Sequence, residues 1–134
     1  TYAGSSYYIT ECLEKHLPRL LAMGVTAIIC SHDLIANTVM IQCQQLGYHV
    51  PRDLSIIGFD DLPICAYTSP PLTTIRQERI ELGKSGYYAL DSLMNKVSIG
   101  TLLLHAQLVV RNSTGPRAAN SREYGSLQGK KTIT

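Results

Sequence analysis

The chain has 134 residues, 45% hydrophobic and 16% charged, with a formal net charge of +2. That length supports one small domain with a sizeable buried core and excludes two ordinary ones. No apolar run approaches the roughly 20 residues needed to cross a bilayer, and Lys and Arg are scattered singly apart from Lys130 and Lys131, so neither a membrane span nor a nucleic-acid footprint is encoded.

Residue 1 is Thr, and the start of the chain lacks the charged-then-apolar pattern of a signal peptide, so the chain reads as a fragment or processed product. Along residues 5 to 17, Ile9, Cys12, Leu13, His16 and Leu17 form one helical stripe, and Pro18 predicts an end at His16 or Leu17. Gly24 punctuates. Residues 26 to 31, TAIICS, are a short continuous apolar run, predicting a strand covered on both faces. Asp33 is placed to cap the next helix, in which Ile35, Val39, Cys43 and Leu46 recur before a stop at Gly47.

LSIIGF (54 to 59) predicts a second strand, so residues 26 to 59 form a strand, helix, strand unit, which implies a parallel pair with a right-handed crossover. Pro63, Pro70 and Pro71 keep residues 61 to 71 irregular, and LTTI (72 to 75) is a third strand candidate. Residues 78 to 96 predict a helix with Leu82, Gly86, Leu90, Leu93 and Val97 inward. Gly83 and Gly86 within it point to close packing on a neighbour. Residues 101 to 111 read as a strand, and 112 to 134 as a polar, disordered tail following a domain of residues 1 to 111. Cys12, Cys30, Cys43 and Cys65 lie among apolar residues, without CxxC pairs or zinc-type Cys/His spacing. They read as reduced, buried small hydrophobes of a cytosolic protein.

Open parallel sheets bind ligands just beyond the carboxyl ends of their strands. That rule singles out Ser31-His32-Asp33 after the first strand and Asp60-Asp61 after the second, with Gln77 a further candidate at a strand-helix junction. A carboxylate there can accept hydrogen bonds from two ligand hydroxyls, as a polyol, sugar or nucleoside would offer. For Asp33 the competing reading is helix capping. Two adjacent carboxylates cannot both be desolvated without raising a pKa, so one of Asp60 and Asp61 is expected to face solvent or cap the next turn. Ser31, His32 and Asp33 are consecutive and cannot form a catalytic relay, which needs convergent side chains. His32, Asp33, Asp60 and Asp61 lack the further spaced ligand that a metal site requires. No cofactor is implied.

The ordered series TAIICSHDLIA, LGYHVPRDLSIIGFDDLP, SPPLTTIRQERIELGKSGYYAL and LVVRNSTG resembles the C-terminal part of the lactose/galactose/purine repressor family of bacterial transcription regulators, over roughly residues 5 to 115. The resemblance implies an α/β fold, part of a type I periplasmic-binding-protein-like three-layer sandwich with a mostly parallel sheet flanked by helices. It implies a cytoplasmic, non-enzymatic regulator that binds a small-molecule effector between two lobes. DNA would be read only by an N-terminal head absent from this chain. Asp60 matches the family's effector-binding aspartate; His32 stands where Asn is common; Gln77 matches a glutamine at the lobe crossover; Asp33 matches an adjacent Asp with a capping role. The helix from Leu34 and the loop from Leu62 to Pro71 match homodimer elements that bury Leu62 and Ile64. The helix of residues 78 to 96 corresponds to one that packs into the first lobe. Alternative expectations are a fragment of a periplasmic sugar-binding protein of a transporter, or a truncated, non-functional reading frame.

Overall fold

The structure, a computed structural model, describes residues 3–117, with side chains described from Thr10 onward. Its elements in chain order are α1 (Ala3–Ala22), β1 (Ala27–Ile29), α2 (Asp33–Gln45), β2 (Ser55–Phe59), a 3-10 turn (Pro63–Ala66), β3 (Thr73–Arg76), α3 (Arg79–Met94) and β4 (Gln107–Val109). The sheet runs β1-β2-β3-β4. β1, β2 and β3 are parallel, with Ile28 opposite Ile56 and Ile57 opposite Thr73, while β4 returns antiparallel with Val109 opposite Thr74. The strand, helix, strand unit expected from the sequence is therefore present as β1-α2-β2.

The core lies between the sheet and the helix pair α1/α2. Leu17 and Leu21 of α1, Ala36, Val39, Met40 and Cys43 of α2, and Leu54, Ile56, Cys65 and Leu72 from the sheet region are all buried. Alternation along β2 turns Ile56 and Gly58 into this core, leaving Ile57 and Phe59 half-buried on the opposite face. β1 departs from its expected double cover: Ile29 is 72% exposed, because β1 is an edge strand and the described helices cover one face.

Helix α1 runs through Pro18 to Ala22, past the stop expected at His16 or Leu17. Leu17 and Leu21 flank the proline one turn apart, at 1% and 5% exposure. Burying two leucines stabilises by about 1.5–3 kcal/mol each, which outweighs the roughly 3 kcal/mol that an interior proline costs. Cys12, expected in the core, is exposed on this helix, whereas Cys30, Cys43 and Cys65 are buried.

Two further expectations change. No residue of α3 is buried, and nothing lies within 4 Å of where a Cβ would stand on Gly83 or Gly86, so these glycines serve no close packing among the described residues. Residues 112–115, read as the start of the tail, are bonded into the sheet: Ser113 is fully buried, donates to the Ile56 carbonyl at 2.6 Å and accepts from the Thr73 amide at 2.8 Å. The remainder of the expected tail, from residue 118, lies outside the described residues.

Candidate functional site

Because β1, β2 and β3 are parallel, the residues following them share one edge of the sheet: Cys30 to His32, Asp60 and Asp61, and Gln77. The antiparallel return of β4 places Gln107 opposite Arg76, which brings His105 and Ala106 to the same edge. His105 was missed from the sequence, since only the β3-β4 register reveals its neighbours. With Gln77, Glu78, Leu82, Leu104 and Ala106 it lines a small cavity of about 60 Å³.

Asp60 and Asp61 have φ of 101° and 50°, left-handed values that few residues other than glycine adopt. Asp tolerates such a conformation better than bulkier or β-branched types. The Asp60 amide donates to the Ile75 carbonyl at 2.8 Å, and Gln77 Nε2 donates to Asp60 Oδ1 at 2.9 Å. Two residues singled out separately in the sequence thus meet. Among the described residues, no donor takes Asp60 Oδ2 or Gln77 Oε1, so the pair presents two hydrogen-bond acceptors.

His32 is the N-cap residue of α2, in extended conformation, and its side chain makes no capping bond. It is half-buried at the same edge. Asp33, expected at the cap, is instead the first residue of the helix and is fully buried. Its Oδ2 accepts from the Leu62 amide at 2.7 Å and its Oδ1 from the Thr74 hydroxyl at 2.5 Å. Both oxygens being engaged inside the fold, this side chain presents nothing to a ligand. Gly58 is required by the same arrangement: a Cβ there would overlap Asp33 Oδ1 and approach its Cα to 3.2 Å.

Asp61, expected to face solvent or cap a turn, has a side chain only 8% exposed. Its Oδ1 accepts from Arg111 Nη2 at 2.7 Å and its Oδ2 from Arg76 at 2.6 Å. Burial pushes its carboxyl up, but Arg111 and Arg76 outweigh burial and hold it below its ordinary 3.8. The expected conflict between adjacent carboxylates is resolved by two guanidinium groups, neither of which the sequence marked. Leu62 packs against the chain's own core, leaving Ile64, 42% exposed, as the apolar side chain of this loop that faces outward with Tyr67.

An open, mostly parallel sheet with helices packed on it is the architecture of a periplasmic-binding-protein-like domain, and the family model described as "Periplasmic binding protein-like domain" matches residues 3–114. The chain is 40% identical over 117 residues to the HTH-type transcriptional repressor CytR of Escherichia coli strain K12, covering 84% of this chain and 34% of that protein. Among solved structures, the transcription regulator CcpA of Lactococcus lactis superposes with a TM-score of 0.69 at 32% identity, covering 79% of this chain and 40% of that one. A regulator from Enterococcus faecium with bound ribose superposes with a TM-score of 0.65 at 31% identity, covering 76% and 39%. The chain belongs to the lactose/galactose/purine repressor family within that fold class. It spans about a third of the length of the curated relatives it matches. Nothing among them supports the transporter alternative.

Proposed function

We propose that this chain is the effector-sensing part of a cytoplasmic DNA-binding transcriptional regulator. A small hydroxylated metabolite, a sugar or nucleoside-like molecule, binds at the carboxyl edge of the sheet. Asp60 and Gln77 accept its hydroxyl protons and His32 supplies a further polar contact. The observation that carries the reading is the Asp60–Gln77 pair, whose remaining oxygens lack donors among the described residues. The protein acts by binding rather than by catalysis: the effector favours one arrangement of two lobes by binding it more tightly and so biases DNA affinity. DNA is read by a head outside this chain. A homodimer forms through α2 and the loop from Leu62 to Pro71. In its support, Gln44 Nε2 donates to the Ser69 carbonyl at 2.7 Å, joining the two elements, and Leu34, Ile41 and Tyr67 are exposed.

The test is Asp60→Ala in the full-length protein, with D-ribose, the sugar bound by the Enterococcus faecium neighbour, as the first probe, followed by other pentoses and nucleosides. A charge-assisted hydrogen bond contributes about 1.5–3 kcal/mol, so effector affinity falls roughly ten- to hundredfold while operator affinity without effector is unchanged. Unchanged effector affinity by calorimetry removes Asp60 from the site.

A further inference from the structure

We propose that Asp33 is a positioning residue for Asp60: it fixes the left-handed turn from which that side chain projects. The inference rests on the reading of Asp60 as an effector contact, but the tie itself is internal to the chain. Three consecutive amides after β2 are anchored. Asp60 N–H donates to the Ile75 carbonyl at 2.8 Å, Asp61 N–H to Thr74 Oγ1 at 3.4 Å, and Leu62 N–H to Asp33 Oδ2 at 2.7 Å. The first is an ordinary ladder bond. The other two depend on Asp33.

A hydroxyl has one proton. Thr74 gives its proton to Asp33 Oδ1 and can therefore turn a lone pair toward the Asp61 amide. One buried carboxyl thus holds the Leu62 amide directly and sets the polarity of the hydroxyl that receives the Asp61 amide. These bonds bracket the residues with φ of 101° and 50°, a conformation that persists only where its surroundings impose it. They also connect the N-terminus of α2, beside His32, to the backbone that aims Asp60. Close approach is part of the device, since Gly58 leaves no Cβ between Asp33 and the sheet.

Asn in place of Asp33 cannot reproduce this pattern, because it keeps one acceptor and gains a donor. With its NH2 toward Leu62, two donors oppose each other. With its NH2 toward Thr74, the hydroxyl loses the acceptor that fixes its proton, so its lone pair is no longer held toward the Asp61 amide. Either orientation breaks or loosens one tie. The Gln77 side-chain amide, bonded to Asp60 Oδ1 at 2.9 Å, reports whether Asp60 is in place.

The experiment is 15N-edited NMR with amide exchange on the 134-residue chain, comparing D33N, T74V, T74S and D60N. In D33N, the Asp61 or Leu62 amide exchanges about tenfold faster, as expected for one lost hydrogen bond, and the Gln77 side-chain amide signals move from their wild-type positions. T74V moves the same Gln77 signals, and T74S, which restores the hydroxyl, keeps them. Should D33N fail to fold, T74V against T74S decides. Unchanged Gln77 signals and unchanged exchange at Asp61 in T74V overturn the proposal. D60N separates the two readings: if the full-length variant binds D-ribose as tightly as wild type while D33N still moves the Gln77 signals, Asp60 leaves the effector site and the tie stands.

Discussion

Replacing Asp61 with Asn removes the charge that holds two strands' ends together. Asp61 accepts from Arg76, the last residue of β3, at 2.6 Å and from Arg111, just beyond β4, at 2.7 Å. Removing one partner of a fully buried pair costs about 3–5 kcal/mol, whereas exposed pairs contribute about 0–1 kcal/mol. This triad lies between those limits: the Asp61 side chain is 8% exposed, Arg111 20% and Arg76 45%. Arg76 can turn into water when its partner is lost. Arg111 is less free, since it also donates to the Leu72 carbonyl at 2.8 Å. The expected loss is therefore about 2 kcal/mol. Urea unfolding followed by circular dichroism at several pH values checks both its size and its origin. Because Arg111 and Arg76 depress the folded carboxyl below 3.8, the stabilisation is fully present above that value and is lost as pH falls through the lower folded value. Wild type and D61N then differ by about 2 kcal/mol near pH 7 and converge as pH falls below the ordinary 3.8 and through the lower folded value. A difference that stays constant across that range, or one below about 0.5 kcal/mol at neutral pH, refutes the ionic account.

Pro18→Ala restores the amide missing from the middle of α1, at a position the chain already holds helical. Proline costs about 3 kcal/mol in a helix interior but recovers about 0.4–1 kcal/mol by restricting the unfolded chain, so the variant is expected to gain about 2 kcal/mol in the same urea titration; a loss of stability shows that the proline bend is needed for the α1/α2 contact. Thiol labelling of the native chain near neutral pH should modify Cys12 alone among the cysteines. Burial pushes Cys30 and Cys43 up to about 11, and burial followed by the neighbouring Asp33 pushes Cys65 up to about 12. Mass mapping that finds any of those three modified before unfolding contradicts the packing described.

The sheet was legible because its signals are local. TAIICS and LSIIGF read as strands from short apolar runs, and the edge rule then points to Ser31-His32-Asp33 and Asp60-Asp61 without any knowledge of contacts, while Gln77 enters separately at a strand-helix junction. The role of Asp33 was not legible. A side-chain oxygen at the start of a helix looks the same in sequence whether it caps its own helix or holds Leu62 and Thr74, which lie 29 and 41 residues onward. Asp61 misled for a related reason: its partners Arg76 and Arg111 become neighbours only through the β3-β4 register. Pro18 signals a helix end by local propensity alone, and the burial of Leu17 and Leu21, which the local sequence does not show, overrides it. Ser113 sits in a polar stretch whose composition resembles a tail, and only its bonds to Ile56 and Thr73 show otherwise.

The proposed cleft and α3 pose one physical problem. Leu82, Leu90 and Leu93, spaced at helical intervals around Gly86, are 51 to 59% exposed, and Leu103 on the returning segment is 81% exposed. An apolar stripe of this kind forgoes about 1.5–3 kcal/mol for each leucine left in water and marks a surface that another surface covers. The segment bearing it leaves the sheet after Arg76 and rejoins at Gln107, two residues that are paired across β3 and β4. It therefore departs from and returns to the very edge where, among the described residues, Asp60 Oδ2 and Gln77 Oε1 lack donors. The proposed function offers a common explanation for these observations. The first lobe, which the resemblance sets against this helix, would bury the leucines and supply the facing wall of the effector cleft. Lobe docking and effector capture would then share the crossover at Arg76 and Gln107, and a ligand bridging the two would shift the lobe arrangement only by the difference in its contacts between the two states.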